Sequence, residues 1–479
     1  MNNLRIKAFS AIRWVTISMA VKGGLYFFQL AILARILNPS DFGLLAIVMA
    51  IFTFLQAFSD FGISSAVMHH QVISRNDLSS LFWVNFLGSI ITALLIILIS
   101  NTISYHYDSP VLQSLLMLSS LTLIINSLGQ QLRVLAEKNL DFNFISKIEV
   151  VSSISGFIAT IFLAIINFGV YSIILGGIIS ASTLTSLLWL FSPREFRPTL
   201  FVSIKSVTPY IKFGSYVILN NLINLLNYQA DIFIGGKFLH ADLLGKYSLA
   251  KELAIGVSRL INPIVMRIGM PAMSKVQDDI DKLKLIYLKA LKMTASINFP
   301  IHLGMCFFSK NIIEIFFGSQ WITVTPILQL LSIWGLLRST LNPVGCLLIA
   351  KGRVDLSFKW NFSLFFVIIP LILLGSQYGL MGLTITSLVI MILTLVPTWY
   401  FLVMPLCGAS LKEYLMQFIP PMLISLVVLT TSFVISGVIS NNLIALIFGI
   451  TSSTALYILF SFYFNKEWFY DMKFLILKQ

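Results

Sequence analysis

Four positively charged side chains lie inside long apolar stretches of this sequence, where a charge is costly. They are Lys22, Lys251, Arg259 and Arg338. A charged side chain at the centre of a bilayer costs about 2.5–3.5 kcal/mol on insertion scales, so such residues usually face a cavity or a counter-charge. Fixed cations bind phosphate, and an arginine can hydrogen-bond two phosphate oxygens at once. These four residues are therefore candidates for contacting an anionic substrate.

A stripe of polar side chains runs along the apolar segment centred near residue 223. Its members recur at helical spacing and are Asn220, Asn224, Asn227 and Asp231. In the first apolar segment, Lys22 and Gln29 stand seven residues apart and share a helix face in the same way. Lipid contact on a polar face is unfavourable, so both faces are predicted to line a cavity. The alternative is that the asparagines hydrogen-bond neighbouring helices.

Three carboxylates lie in or beside the same segments and could balance the cations: Asp60, Asp231 and Glu252. Glu252 and Arg259 are seven residues apart and share a helix face. One hypothesis is that the cations and carboxylates line a substrate cavity together. The alternative is that they form buried structural ion pairs. His302 is the one histidine well inside an apolar segment, and it is expected to be a hydrogen-bonded packing residue, with proton coupling as the alternative.

The composition is that of a membrane protein. Hydrophobic residues make up 57% and charged residues 11% of the 479 positions, whereas soluble domains are about 45–50% apolar and 25% charged. Segments of about 20 apolar residues can cross a bilayer. About fourteen such segments are present, centred near residues 25, 53, 92, 121, 157, 180, 223, 254, 298, 337, 365, 389, 426 and 452.

The formal net charge of +13 is read as a topology signal and not as a sign of nucleic-acid binding. Most lysines and arginines fall in the N-terminal tail, in alternate connections and in the C-terminal tail. The connections concerned lie near residues 75, 140, 203, 280, 355 and 410. Because positive residues concentrate on the cytoplasmic side of membrane proteins, both termini are predicted to be cytoplasmic.

The sequence also contains an internal duplication. The stretch from Ala34 to Ala50 aligns without a gap on the stretch that begins at Gly236, at an offset of 202, which places Gly43 on Gly245. Duplication of a unit of roughly 200 residues in an apolar chain is typical of transporters. The predicted fold is an all-α polytopic membrane protein with two six-helix lobes as parallel repeats. Residues 1–200 form the N-terminal lobe, 201–405 the C-terminal lobe, and 406–479 two additional transmembrane helices and a cytoplasmic tail.

Five motifs in order resemble a known transporter family. They are "RILNPSDFGLLA" (35–46), "FSDFGISSA" (58–66), "MPAMSKVQDD" (270–279), "IFFGSQWITVTPILQLL" (315–331) and "AKGRVDLSF" (350–358). Together they resemble the polysaccharide-transport branch of the multidrug/oligosaccharidyl-lipid/polysaccharide exporter superfamily, in particular Wzx-type, colanic-acid-exporter-like flippases. The resemblance implies two lobes that form a V around a central cavity, and transport of undecaprenyl-diphosphate-linked sugar repeat units.

The expected function is therefore that of a flippase in the bacterial inner membrane. It would serve the biosynthesis of O-antigen, capsule or exopolysaccharide by alternating access. Its expected partners are the lipid-linked oligosaccharide, membrane lipids, and the polysaccharide polymerase with its chain-length machinery. Among the polar and charged candidates, Lys22 and Arg259 are expected to contact the diphosphate from opposite lobes.

Other functions stay open at this point. A cation-coupled multidrug exporter and a lipid II flippase are alternatives within the superfamily, and a membrane-embedded polysaccharide polymerase is a further one. The very short outer connections count against a polymerase. No pattern of a metal cluster, a catalytic triad or a nucleotide-binding loop is found in the sequence. The sequence thus predicts a protein that is not an enzyme and has no cofactor, and it leaves proton or sodium coupling open.

The topology can be tested with reporter fusions. Fusions at Ser203 and Gln277 should report a cytoplasmic location, and fusions at Asp108 and Ser440 a periplasmic one, because the basic connections stay inside. Alkaline phosphatase and green fluorescent protein, which are active on opposite sides of the membrane, provide the paired readout. A periplasmic signal at Ser203 would overturn the two-lobe topology.

Overall fold

The computed structural model describes residues 2–59, 64, 67–68, 73–466 and 468–469. For residues 2–13, 59, 204–206, 209, 211–220, 260–261 and 263–268 it describes the backbone alone. In this part of the chain the secondary structure is helical, with no strand. The all-α class is therefore confirmed.

The longer helices are named here in chain order. They are α1 (Asn2–Ile36), α2 (Pro39–Ser59), α3 (Arg75–His106), α4 (Val111–Lys138), α5 (Phe142–Ile165), α6 (Tyr171–Phe191), α7 (Ile204–Phe238), α8 (Ala241–Ser274), α9 (Ile280–Phe307), α10 (Thr325–Thr340), α11 (Pro343–Ala350), α12 (Val354–Gln377), α13 (Gly379–Thr398), α14 (Ile419–Ser436) and α15 (Asn442–Phe464). Shorter helical turns join some of them, at Arg194–Phe196, Ser309–Ile312, Ile313–Phe317, Ser319–Val324, Trp399–Val403, Met404–Cys407 and Leu411–Met416.

Eleven helical segments in the described part of the chain are long and apolar enough to cross a membrane. They coincide with eleven of the predicted segments, so the chain is a multi-pass membrane protein. The predicted segments near residues 223, 254 and 298 fall on α7, α8 and α9, which are 35, 34 and 28 residues long. The first half of α9 contains four lysines, which shortens its apolar part. The number fourteen stays a prediction.

The chain forms two compact units, residues 1–245 and 246–479. In the first, α5 packs on α6 and α1, α3 packs on α4, and α2 packs on α7. In the second, α9 packs on α10 and α14, α14 on α15, and α12 on α13. The largest buried side chains of the second unit include Trp321, Tyr247, Tyr287 and Tyr414. The predicted lobe boundaries at residues 200 and 405 stay a prediction.

Polar contacts explain why α7 belongs to the first unit. The connection between α3 and α4 holds the end of α7: the Tyr107 hydroxyl donates to the Phe233 carbonyl oxygen at 3.0 Å. Lys237 Nζ donates to the His106 carbonyl oxygen at 2.6 Å and lies 3.5 Å from Asp108 Oδ2. Lys237 therefore has a structural role at this helix end.

The duplicated stretches adopt the same local structure. α1 ends at Ile36 and α2 begins at Pro39, while α7 ends at Phe238 and α8 begins at Ala241. These bounds repeat at the offset of 202 found in the sequence. Each second helix has an aspartate in its first turn, where a negative charge is stabilised by the helix dipole. The layout of two complete repeats stays a prediction.

The glycines that align in the duplication pack against each other's turn. A Cβ atom at Gly43 would lie 2.0 Å from the Ala241 carbonyl oxygen, and one at Gly245 would lie 1.8 Å from the Pro39 carbonyl oxygen. Both distances are far below contact, so no side chain fits at either position. Glycine thus allows the backbones at the start of α2 and α8 to touch.

Small residues also allow the close packing of α5 on α6. A Cβ atom at Gly176 would lie 1.9 Å from Thr160 Oγ1, and one at Gly156 would lie 2.7 Å from Ser180 Cβ. The neighbouring Gly177 points elsewhere, because a Cβ atom there would meet nothing within 4 Å. Gly176 and Gly177 therefore form a matched pair of crowded and open positions on one helix.

Alanine substitutions at this pair test the packing. Gly176→Ala should destabilise the protein by about 1–3 kcal/mol, because an added methyl group overpacks the interface. Gly177→Ala should leave the stability unchanged or raise it slightly, because alanine favours the helix. Thermal unfolding of the purified protein in detergent gives both values. Equal melting temperatures for the two variants would contradict this packing.

Candidate functional site

One group of charged side chains lies in the first unit. It joins Lys22 on α1, Arg133 and Glu137 on α4, and Glu149 on α5, and we call it the N-terminal charge cluster. The three helices meet because α1 and α4 both pack on α5. Four charged residues from three helices are thereby brought to one place.

The Glu149 carboxylate is the centre of this cluster. Its Oε2 atom forms a close ion pair with Lys22 Nζ, and its Oε1 atom accepts from Arg133 Nη2 at 2.6 Å. Arg133 Nε also donates to Glu137 Oε1 at 3.1 Å, one helical turn away. The Glu149 side chain is 14% exposed, but those of Lys22 and Arg133 are 35% and 43% exposed. The carboxylate therefore holds two cations in place while part of each remains accessible.

The structure gives Lys22 a partner that the sequence analysis did not name. The sequence offered Asp60, Asp231 and Glu252 as possible counter-charges for the four cations, and Lys22 pairs with Glu149. The physical reason is that α1 packs against α5, so the carboxylate on α5 is within reach. Glu149 is an acidic residue just inside an apolar segment, and this signal was available in the sequence. Asp60 lies outside the described residues.

A second group of side chains lies in the second unit. It joins Lys251, Glu252 and Arg259 on α8 with Trp334 and Arg338 on α10, and we call it the C-terminal charge cluster. Arg259 Nη1 lies 2.8 Å from Glu252 Oε2, and Arg259 Nη2 donates to Glu252 Oε1 at 3.1 Å. The two side chains lie on one face of α8, as their spacing of seven residues predicts. The Arg259 side chain is nevertheless 48% exposed.

The indole ring of Trp334 lies close to the other two cations, Lys251 and Arg338. The Arg338 guanidinium carbon lies 5.6 Å from the ring centroid, and Lys251 Nζ lies 6.0 Å from it. A cation over the face of a tryptophan is attracted by the ring. Lys251 is almost fully buried, whereas Arg338 is exposed. The ring thus brings a buried and an exposed cation together beside α8 and α10.

The polar stripe on α7 passes from an exposed to a buried environment. Asn224 is exposed, Asn227 is half-buried, and Asp231 is buried and accepts from the backbone N–H of Ile232 at 2.9 Å. Gln29 on α1 is half-buried. The side chain of Asn220 lies outside the described residues. The role of this stripe in lining a cavity stays a prediction.

Metal binding has no support in the described part of the chain. No three histidine, cysteine, aspartate or glutamate side chains come together there in a way that could hold a metal ion. The two charge clusters instead place cations on carboxylates and on a tryptophan. Such sets can bind an anion by charge and by hydrogen bonds from lysine and arginine.

Comparisons with known proteins point to one fold. The structure resembles the lipid II flippase MurJ in an inward closed conformation, with a TM-score of 0.77 at 17% identity, covering 95% of this chain and 99% of that one. It also resembles an inward-facing multidrug resistance MATE family transporter of the MOP superfamily, with a TM-score of 0.61 at 14% identity, covering 81% and 98%. At such low identities these likenesses concern the fold alone.

The sequence comparisons are more specific. A family described as "Polysaccharide biosynthesis protein" matches residues 32–326. The lipopolysaccharide biosynthesis protein WzxC of Escherichia coli (strain K12) is 34% identical over 442 residues, which cover 92% of this chain and 90% of that one. The resemblance found in the five motifs is thereby confirmed. The chain belongs to the polysaccharide biosynthesis protein family.

Proposed function

We propose that this protein is a flippase that moves a polyprenyl-diphosphate-linked oligosaccharide across the bacterial inner membrane for the biosynthesis of a surface polysaccharide. The observation that carries this proposal is the similarity to WzxC, which extends over nine-tenths of both chains. The likeness to MurJ supports a fold that is suited to flipping a lipid-linked substrate. The proposed activity is transport and includes no catalytic step.

The two charge clusters provide the chemistry that a diphosphate requires. An anion that leaves water needs compensating charge and hydrogen-bond donors. Lys22 and Arg133 are fixed by Glu149 with part of their surface accessible, and Arg259 is fixed by Glu252 in the same manner. We propose that both clusters bind the diphosphate, while the sugars cross in water and the polyprenyl tail stays in lipid.

The charge balance also bears on the alternative functions. An exporter of cationic drugs benefits from an anionic cavity, and the partly exposed cations Lys22, Arg133 and Arg259 disfavour such a substrate. A lipid II flippase also handles a diphosphate, so the clusters support it equally. The similarity to WzxC favours a polysaccharide precursor over lipid II. Alternating access of the lobes and an inner-membrane location with cytoplasmic termini are part of this proposal.

Removing the cations tests the binding of the diphosphate. The Lys22→Gln, Arg259→Gln double variant keeps the polarity of both side chains and loses their charge. Each lost contact of a charged group should cost about 1.5–3 kcal/mol, which is roughly a ten- to hundredfold fall in export, so the double variant should lose about a hundredfold or more. Polysaccharide export in a flippase-null strain is the measurement, with immunoblots for abundance. Lys282→Gln, which removes an exposed cation paired with Asp279, is the control and should export normally. Normal export by the double variant would eliminate the proposal for these residues.

The carboxylate and its cations should behave differently. Lys22→Gln leaves Glu149 paired with Arg133, so the protein should reach the membrane in normal amounts. Glu149→Gln removes the carboxylate that pairs with Lys22 and one of the two carboxylates that pair with Arg133, so abundance should fall several-fold. Membrane immunoblots of the two variants give the comparison. If Glu149→Gln accumulates normally, the cluster does not depend on its carboxylate.

The choice between a polysaccharide precursor and lipid II can be made in cells. The protein should not restore growth to a strain depleted of its lipid II flippase, because the family match concerns polysaccharide biosynthesis. Growth under depletion is the measurement, with MurJ as the positive control. Restored growth at normal expression would favour lipid II as the substrate.

A further inference from the structure

The helix α9 contains a proline in its interior. Pro300 lies seven residues before the end of the helix at Phe307. A proline has no N–H group, and its ring crowds the carbonyl group four residues earlier, which here belongs to Ser296. The Ser296 carbonyl oxygen therefore lacks the donor that it would have in a regular helix. Because Ser296 is fully buried, this oxygen needs another hydrogen-bond partner.

The partner comes from α15, the last of the long helices. The Tyr457 hydroxyl donates to the Ser296 carbonyl oxygen at 2.8 Å. Just after α15, the Asn465 side chain donates from Nδ2 to Ser296 Oγ at 2.9 Å. Tyr457 and Asn465 are both buried. Two side chains from the C-terminal end of the chain thus hold the residue whose carbonyl group the proline leaves without a donor.

The packing around Tyr457 keeps its hydroxyl in place. Its side chain belongs to a buried cluster with Ile424 and Val428 of α14. Its ring centroid lies 5.9 Å from that of the Trp468 ring, in an edge-to-face arrangement. The helix α14 in turn packs on both α9 and α15. The hydroxyl is therefore directed at Ser296 by a side chain that its own neighbours fix.

The first unit offers a comparison. The helix α3 follows the first copy of the duplicated stretch, as α9 follows the second, and α3 contains no proline. The additional helices α14 and α15 occur in the second unit, where α14 packs on the helix that has the proline. The proline and the pair of C-terminal helices are thus found together.

Beyond the proline, α9 contacts α8. His302 Nε2 lies 3.2 Å from the Ala254 carbonyl oxygen on α8, and His302 Nδ1 lies 3.0 Å from the Asn298 carbonyl oxygen. His302 is fully buried, so its contacts are those of a packing residue. Ala254 is two residues from Glu252, which fixes Arg259. The position of this half of α9 therefore bears on the helix that carries the Glu252–Arg259 pair.

We propose that Tyr457 is a positioning residue, whose hydroxyl replaces the hydrogen bond that Pro300 removes from α9. Through this bond, α14 and α15 hold the second half of α9 against α8. The C-terminal helices thereby brace a helix that lacks one of its own backbone hydrogen bonds. The consequence for transport rests on the proposed function, because it concerns the Glu252–Arg259 pair that is proposed to bind the diphosphate.

A double-mutant cycle tests the link between Tyr457 and Pro300. Tyr457→Phe removes the hydroxyl and leaves the Ser296 carbonyl oxygen without this donor, so the melting temperature in detergent should fall by about 1–4 °C. Pro300→Ala restores an N–H group that can donate to Ser296, so Tyr457→Phe should have little effect in that background. Equal falls in both backgrounds would overturn the proposal, and so would the absence of a fall when Pro300 is present.

A control variant and amide hydrogen exchange show whether the effect is local. Tyr463 lies on the same helix and is exposed, so Tyr463→Phe should leave the melting temperature unchanged in both backgrounds. In Tyr457→Phe, residues 301–307 of α9 should exchange several-fold faster, whereas the helices of the first unit should keep their rates. An equal rise along the whole chain would contradict a positioning role, because it would indicate general destabilisation.

Polysaccharide export separates this inference from the proposed function. Tyr457→Phe should export several-fold less than the unmodified protein in a flippase-null strain at equal abundance on immunoblots, because Arg259 is then less firmly placed. Normal export at equal abundance would overturn the consequence for transport. If the unmodified protein exports no polysaccharide, the proposed function fails, whereas the melting temperatures and the exchange rates still decide whether Tyr457 positions α9.

Discussion

The Glu149 carboxylate shares its two oxygens between Lys22 and Arg133, and through them α5 is tied to both α1 and α4. An isolated cation in an apolar segment is unfavourable, and so is a buried carboxylate without a partner. The Glu149 carboxylate pairs with one cation on each of two helices, so the carboxylate and both cations have a counter-charge. The positions of the Lys22 ammonium and the Arg133 guanidinium therefore depend on Glu149, which contacts both of them.

The second unit stabilises its cations in a different way. Arg259 is fixed by a carboxylate on its own helix, and the remaining two cations lie against the ring of Trp334. An aromatic ring stabilises a cation through the negative charge of its face. The N-terminal charge cluster thus relies on two carboxylates from two helices, and the C-terminal charge cluster on one carboxylate and one indole ring.

Part of this arrangement could be predicted from the sequence. Features that depend on a short stretch of residues could be predicted, whereas contacts between distant segments could not. The Glu252–Arg259 contact follows from helical spacing, and the bounds of α2 and α8 follow from the duplication, because both depend on neighbouring residues. The Lys22–Glu149 contact joins residues 127 positions apart, and it depends on which helices pack together. Hydrophobic patterns show where helices lie in the sequence, but they do not show which helices pack together. The contacts of α7 with the connection between α3 and α4 were missed for the same reason.

The contacts of Gly43 and Gly245 also make the two glycines depend on each other's turn. Each glycine meets the backbone of the other copy of the duplicated stretch, so neither position tolerates a side chain unless the opposite turn moves as well. A side chain at either glycine would meet the backbone of the unchanged turn opposite, so a substitution at one of the two positions depends on a change in the other turn.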